Sequence, residues 1–137
     1  MTFLRTFLVS LLCFAAFFAD AQTTQLIGAS EEYILENVKG YSIIEERGIE
    51  HEEFNVLVFE DGPRELSFYF TFYKGGKICN YIKNTAPLPV LEDEIKFIKA
   101  NYINIRDNIW QNASKTLQVQ IGSSEGQGSI VVRELRN

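Results

Sequence analysis

Alternating apolar and polar positions dominate residues 64–83, RELSFYFTFYKGGKICNYIK, and set the frame for the rest of the chain. β-Branched and aromatic residues run on both sides of Gly75-Gly76, and paired glycines supply the positive φ that a two-residue hairpin turn needs. With that turn, Lys74 faces Lys77, Tyr73 faces Ile78, Phe72 faces Cys79, Phe70 faces Tyr81 and Tyr69 faces Ile82. Strand side chains alternate between the two faces of a sheet. One face then carries Phe68, Phe70, Phe72, Cys79 and Tyr81 and reads as core. The other carries Tyr69, Thr71, Tyr73, Ile78, Asn80 and Ile82, apolar enough to need a cover and polar enough to tolerate water.

The flanking pattern places this hairpin in a meander. Residues 41–49 read as a strand with a polar interruption, Gly48 marking its end or a bulge. Residues 54–60 read as a second strand, with Phe54, Val56 and Val58 on one side and Leu57 and Phe59 on the other. Asp61-Gly62-Pro63 turns the chain antiparallel into the hairpin. Upstream, residues 22–29 form a loose polar lead-in. Ser30 then caps a short helix to Val38, with Glu31 and Glu32 in its first turn and Ile34 and Val38 on one face.

Downstream, Pro87 and Pro89 take residues 84–89 out of the sheet by removing ladder donors, and Pro89 opens a helix. Leu91, Ile95, Ile98 and Tyr102 recur at helical spacing and form its apolar stripe. Three further strands are expected at 109–111, 116–121 and 129–135, with Trp110 as an anchor and the glycine-containing stretch 122–128 as a loop. At an offset of 61 residues, EEYILENVKGYSIIEE lies over EDEIKFIKANYINIRD, matching Glu31, Ile34, Tyr41 and Ile44 to Glu92, Ile95, Tyr102 and Ile105. The layout this echo implies is a helix followed by an antiparallel meander, then the same again. The expected fold is therefore α+β: an antiparallel β-meander sheet with two helices packed on one face and a weak helix-plus-meander pseudo-repeat.

The ends and the composition restrict function. Residues 1–21 have the form of an export signal: Arg5 gives a basic start, 7–18 an apolar run, and Ala19-Asp20-Ala21 a small-x-small cleavage site. The run is shorter than the roughly 20 apolar residues of a membrane span, so cleavage and no stable membrane insertion are expected. Residues 22–137 then form one α+β domain that is periplasmic or secreted. Cys13 leaves with the signal, and Cys79 remains as a lone thiol without an intrachain partner. The signal takes one of 13 basic and one of 18 acidic residues, leaving the net charge at −5. An acidic balance argues against nucleic acid as a partner.

The inventory of chemical groups is thin. His51 is the only histidine; it sits in Glu50-His51-Glu52-Glu53, but no second histidine or cysteine set completes a zinc site, and it reads as an exposed turn residue. Cys79 paired with His51 would make a nucleophile and base, yet Cys79 falls on the core face, where nothing lowers its pKa. Carboxylate pairs such as Glu52 and Glu60 are too many to discriminate. The glycines at 75–76 and 122–128 lack the lysine and following helix of a phosphate loop, and no cofactor or metal is expected. Asn112-Ala113-Ser114 matches the N-glycosylation pattern and is set aside for a bacterial-type signal.

The candidate binding surface is the tyrosine face, with Tyr69, Tyr73, Ile78 and Ile82 as its residues. The competing reading is that the C-terminal strands, or a second copy of the chain, cover it. The signal ending Ala-Asp-Ala before Gln22, the Phe-Tyr-Phe-Thr-Phe-Tyr hairpin with Cys79, the acidic helix 91–102 and Asp107-Asn108-Ile109-Trp110 together resemble small exported proteins of the Bacteroidota. That resemblance covers most of residues 22–137, and because its motifs are structural it carries over no functional residue. The expected function is an exported binding module for an unidentified protein or small ligand, working through the aromatic sheet face or its loops. A small secreted hydrolase using His51 or a carboxylate pair, and a structural homodimer closing two tyrosine faces, are the alternatives.

Overall fold

The computed structural model describes residues 22–38, 42–49, 54–73 and 76–135, with side chains for 23–38, 56–71 and 76–135. Among the described residues three helices, α1 (Gln22–Gln25), α2 (Glu31–Asn37) and α3 (Leu88–Asn101), accompany eight strands. The strands are β1 (Ser42–Ile49), β2 (Phe54–Asp61), β3 (Arg64–Tyr73), β4 (Gly76–Pro87), β5 (Ile103–Arg106), β6 (Ile109–Gln111), β7 (Leu117–Ser124) and β8 (Gln127–Glu134). They form one antiparallel sheet in the order β1-β2-β3-β4-β8-β7-β6-β5. That order is palindromic: each half is a helix followed by a four-strand meander, and the two halves join through their fourth strands. The expected α+β layout holds, down to the 61-residue offset that sets Ser42 at the start of β1 over Ile103 at the start of β5. Beyond that point the halves differ in length, β2 having eight residues and β6 three.

One face of the sheet is the core. Leu57 and Phe59 of β2, Leu66, Phe68 and Phe70 of β3, Cys79, Ile82 and Ala86 of β4, Val119 of β7, and Ile130 and Val132 of β8 form a single buried cluster with Leu26, Ile34 and Val38 of the N-terminal segment and Leu91 and Ile98 of α3. Phe59 and Phe68 meet edge to face, with centroids 5.5 Å apart. α3 lies across β4, β8 and β7. Gly128 permits this approach, since a Cβ there would come within 2.9 Å of Leu88 Cδ2 and 3.0 Å of Leu91 Cδ1. Ser30 caps α2 as expected, its Oγ accepting from the Tyr33 N–H at 3.1 Å.

Four expectations are corrected. The tip of the central hairpin pairs Tyr73 with Gly76 rather than with Ile78, so Gly76 belongs to β4; residues 74 and 75 lie outside the described set. A bulge follows, in which Tyr69 faces Tyr81 and Phe70 faces Cys79, with Asn80 as the extra residue. A one-residue change of register exchanges the faces of everything beyond it. Tyr81 therefore leaves the phenylalanine face, and Ile82 joins it opposite Phe68, fully buried.

Residues 84–87 continue the sheet rather than leaving it. Ala86 pairs with Gly128, and Pro87 is the last residue of β4 and the N-cap of α3, a strand end where a missing N–H is tolerated. With the helix starting at Leu88, Glu94 turns inward between Leu91 and Ile98. The expected loop 122–128 is instead the end of a hairpin: Ser124 pairs with Gln127 around Glu125 (φ 53°) and Gly126 (φ 81°), both left-handed as a type I′ turn requires. Finally, the lead-in 22–29 is not loose. β8 pairs with β4 only from Tyr81 onward, and the edge this leaves is filled by the N-terminal segment, with Gly28 N–H donating to Cys79 O at 2.7 Å and Cys79 N–H to Ala29 O at 2.8 Å. Leu26 is buried as a result.

Candidate functional site

The second face of the sheet carries the residues that alternation turns away from the core. Among the described residues α2 and α3 contribute to the core cluster on the opposite face. The open face is organised as a row perpendicular to the strands: Val56, Tyr69, Tyr81, Arg133, Gln118 and Gln111 stand opposite one another in β2, β3, β4, β8, β7 and β6. Tyr69 and Tyr81 meet edge to face, with centroids 5.0 Å apart and rings at 86°, a geometry favoured by the ring quadrupoles. Arg133 Nη2 donates to Gln118 Oε1 at 3.1 Å, and Gln118 is buried. Burial, and then the neighbouring Tyr69, push the Tyr81 phenol above its ordinary pKa, with Arg133 acting in the opposite sense.

A second row lies beside the first. Val58, Ser67, Lys83, Val131 and Gln120 stand opposite one another from β2 to β7. Val58 and Ser67 are buried, whereas Lys83, Gln120 and Arg133 are exposed and Tyr69, Tyr81 and Val131 half-buried. The accessible part of the face is therefore centred on β4 and β8.

The structure divides the four residues expected there. Tyr69 and Ile78 are on the open face, both half-buried, Ile78 standing opposite Thr71. The backbone of Tyr73 ends β3, and its side chain lies outside the described set. Ile82 is in the core. Tyr81, Lys83, Arg133 and Gln118 complete the face and were not expected on it. The signal for Arg133 is the alternation of buried Ile130 and Val132 with Val131 and Arg133 in the last strand, but only the β4–β8 register brings it beside Tyr81.

Other candidate chemistry is placed as follows. His51 and Glu52 lie outside the described residues, and Glu60 is exposed near the end of β2. Cys79 is fully buried, and that burial pushes its thiol up to about 12, the opposite of an activated nucleophile. Among the described residues no three His, Cys, Asp or Glu are grouped to hold a metal ion, and no helix is long and apolar enough to cross a membrane. Trp110 is half-buried against the core with Lys99 Nζ 5.8 Å from its ring centre. Asn112 organises its turn: Oδ1 accepts from the N–H groups of Thr116 and Leu117, both at 2.9 Å, while Nδ2 donates to Ser114 Oγ and Thr116 Oγ1. A groove of about 410 Å³ follows α3 between Leu88, Pro89, Glu92, Ile95, Lys96 and Lys99; this lining holds no serine, cysteine or histidine.

Sequence reasoning missed a buried polar pair under α3. Asn84, wholly buried in β4, donates from Nδ2 to Glu94 Oε2 at 2.9 Å. Both residues are of types that sequence alone assigns to the surface.

The tyrosines and arginine of the open face supply rigid contact area together with polar tips. Comparison of the chain with protein-family models, with curated proteins and with solved structures gave no match.

Proposed function

We propose that this protein is an exported binding module that holds a partner protein on its open sheet face. The observation that carries the reading is the row Tyr69-Tyr81-Arg133-Gln118, which crosses the four central strands on the face opposite α2 and α3. The four strands that this row crosses, β3, β4, β8 and β7, have eight to twelve residues each, and at about 3.3 Å per residue and about 4.8 Å spacing they present roughly 600 Å². That reaches the lower end, about 600 Å² per partner, of standard protein interfaces. Export is supported by the basic start, apolar run and Ala-Asp-Ala ending of residues 1–21, and by the resemblance to small exported proteins.

The test joins processing to binding. The exported form is expected to begin at Gln22 by mass spectrometry. A partner recovered with it from the exported fraction should lose affinity by at least ~10-fold in the Tyr69→Ala/Tyr81→Ala variant, with the circular dichroism spectrum and a cooperative melt retained. Undiminished binding in that folded variant would falsify the assignment to this face.

A further inference from the structure

Charge on the open face runs against charge in the chain. The protein carries a net −5, yet in β4 and β8, the two central strands, the only charged residues at open-face positions are Lys83 and Arg133. Both are exposed, and neither forms an ion pair among the described residues. They are diagonal neighbours, Lys83 standing opposite Val131 and Arg133 opposite Tyr81, and such neighbours lie about 7 Å apart. In β3 and β7 the one charged open-face residue is Glu65, which stands opposite Thr85 and is a diagonal neighbour of Lys83 on the side away from Arg133.

The two cations also differ in how they are held. Arg133 is steered by its bond to the buried amide of Gln118, which leaves most of its planar fork of donors directed elsewhere. Such a fork matches a carboxylate in two-point fashion. Lys83 is a mobile point charge beside it. The Tyr69–Tyr81 pair adds a rigid apolar shelf next to Arg133.

Building on the reading of this face as the binding surface, we infer that its occupant is an acidic protein segment, a stretch of partner chain in which Asp or Glu alternate with apolar residues. The carboxylates pair with Arg133 and Lys83, and the apolar side chains lie on the tyrosine shelf. A central arginine and tyrosine pair is the composition of an interface hot spot, and opposite charge on the partner both orients docking and speeds it. A second copy of this chain closing face to face is disfavoured, because an isologous contact sets the cations Lys83 and Arg133 against their own kind.

The experiment uses the purified protein and labelled peptides of about 15 residues in which Glu alternates with Tyr, Thr and Val, with Glu→Gln versions as the comparison. Binding is read by fluorescence anisotropy. The Glu peptides are expected to bind at least ~10-fold more tightly than the Gln peptides and to weaken as salt is added. Lys83→Glu/Arg133→Glu should remove that preference with the melt unchanged, while Lys96→Glu/Lys99→Glu on α3 should leave it within about twofold. Equal binding of the two peptides, no binding of either at about 1 mM, or an equal loss in the α3 variant overturns the inference. So does full competition by inorganic phosphate at the same concentration, which would make the face a general anion site. If Gln peptides bind equally well and Tyr69→Ala/Tyr81→Ala abolishes that binding, the face is correct and the acidic partner is wrong. If binding survives in both sets of variants, both readings fail.

Discussion

The two faces of this sheet are built from the same strands by alternate residues, and they obey different rules. The covered face joins Phe68, Phe70, Ile82, Ile130 and Val132 to α3 and the N-terminal segment in one continuous cluster, with Asn84 and Glu94 as its polar inclusion. The open face has its own order, aligned Tyr, Tyr, Arg and Gln across four strands, with exposed Lys83 beside them. Order on the first face follows from excluding water. Order on the second does not need that explanation, because half-buried side chains on a solvated sheet can vary without loss of the fold. The contrast separates residues that build the domain from residues that the fold leaves accessible, and substitutions on each face should behave accordingly.

The largest effect is expected on the covered face. Phe68→Ala removes a fully buried ring packed against Phe59, opposite Ile82 and Leu57, and should cost about 3–5 kcal/mol in urea denaturation. Ile82→Asp should do at least as much, because it places an unpaired carboxylate in the same cluster. A folded Ile82→Asp variant of near-normal stability would return Ile82 to the open face and undo the register assigned to β4.

Next in size is an alkaline transition at the same depth. Burial holds the Cys79 thiol neutral up to about 12, against an ordinary value of 9.0. The unfolded chain thus loses this proton before the folded one does, so the contribution is complete below pH 9 and disappears as pH rises from 9 through about 12. The loss is on the order of a few kcal/mol. Cys79→Ala should flatten that part of the stability profile relative to the wild type, and parallel profiles would contradict it.

The buried polar inclusion is expected to be smaller again. Asn84→Leu withdraws a donor from the Glu94 carboxylate and should cost about 1–3 kcal/mol. Pairing it with Glu94→Met should recover part of that loss, since an apolar pair leaves nothing unsatisfied. Strictly additive losses in the double variant would show that the two side chains are not coupled.

These positions also mark what the sequence makes legible. Alternation assigns Phe68, Phe70 and Cys79 to the core and Tyr69 and Ile78 to the other face, and all five hold. It cannot announce the extra residue at Asn80, since a bulge is a property of two strands together; this is why Tyr81 and Ile82 change places. The Glu125-Gly126 turn was hidden for a related reason. A left-handed glutamate is uncommon, and nothing local requires it until β7 and β8 fix the register. The ordered lead-in depended on a vacancy at the edge of β4 that exists only because β8 pairs no further than Tyr81. Glu94 reads as one of three acidic residues on a helix surface until the start of α3 at Leu88 sets its angle toward Asn84.

The smallest predicted effect is the most informative about the open face. Tyr69 and Tyr81 touch edge to face, and aromatic pairs of this kind couple by about 0.5–1.5 kcal/mol beyond the area they bury. Each residue is half-buried, so Tyr69→Ala and Tyr81→Ala should each lower stability by about 1 kcal/mol, well below the cost of Phe68→Ala one position away. A double-mutant cycle measured by chemical denaturation isolates the coupling. Values in the expected range would mean that the row is pre-organised before any partner arrives, so the tyrosines reach an interface with little freedom left to lose. A cycle near zero would leave the shelf assembled only on contact. A loss of several kcal/mol from either single substitution would erase the distinction between the two faces, because the tyrosines would then be core.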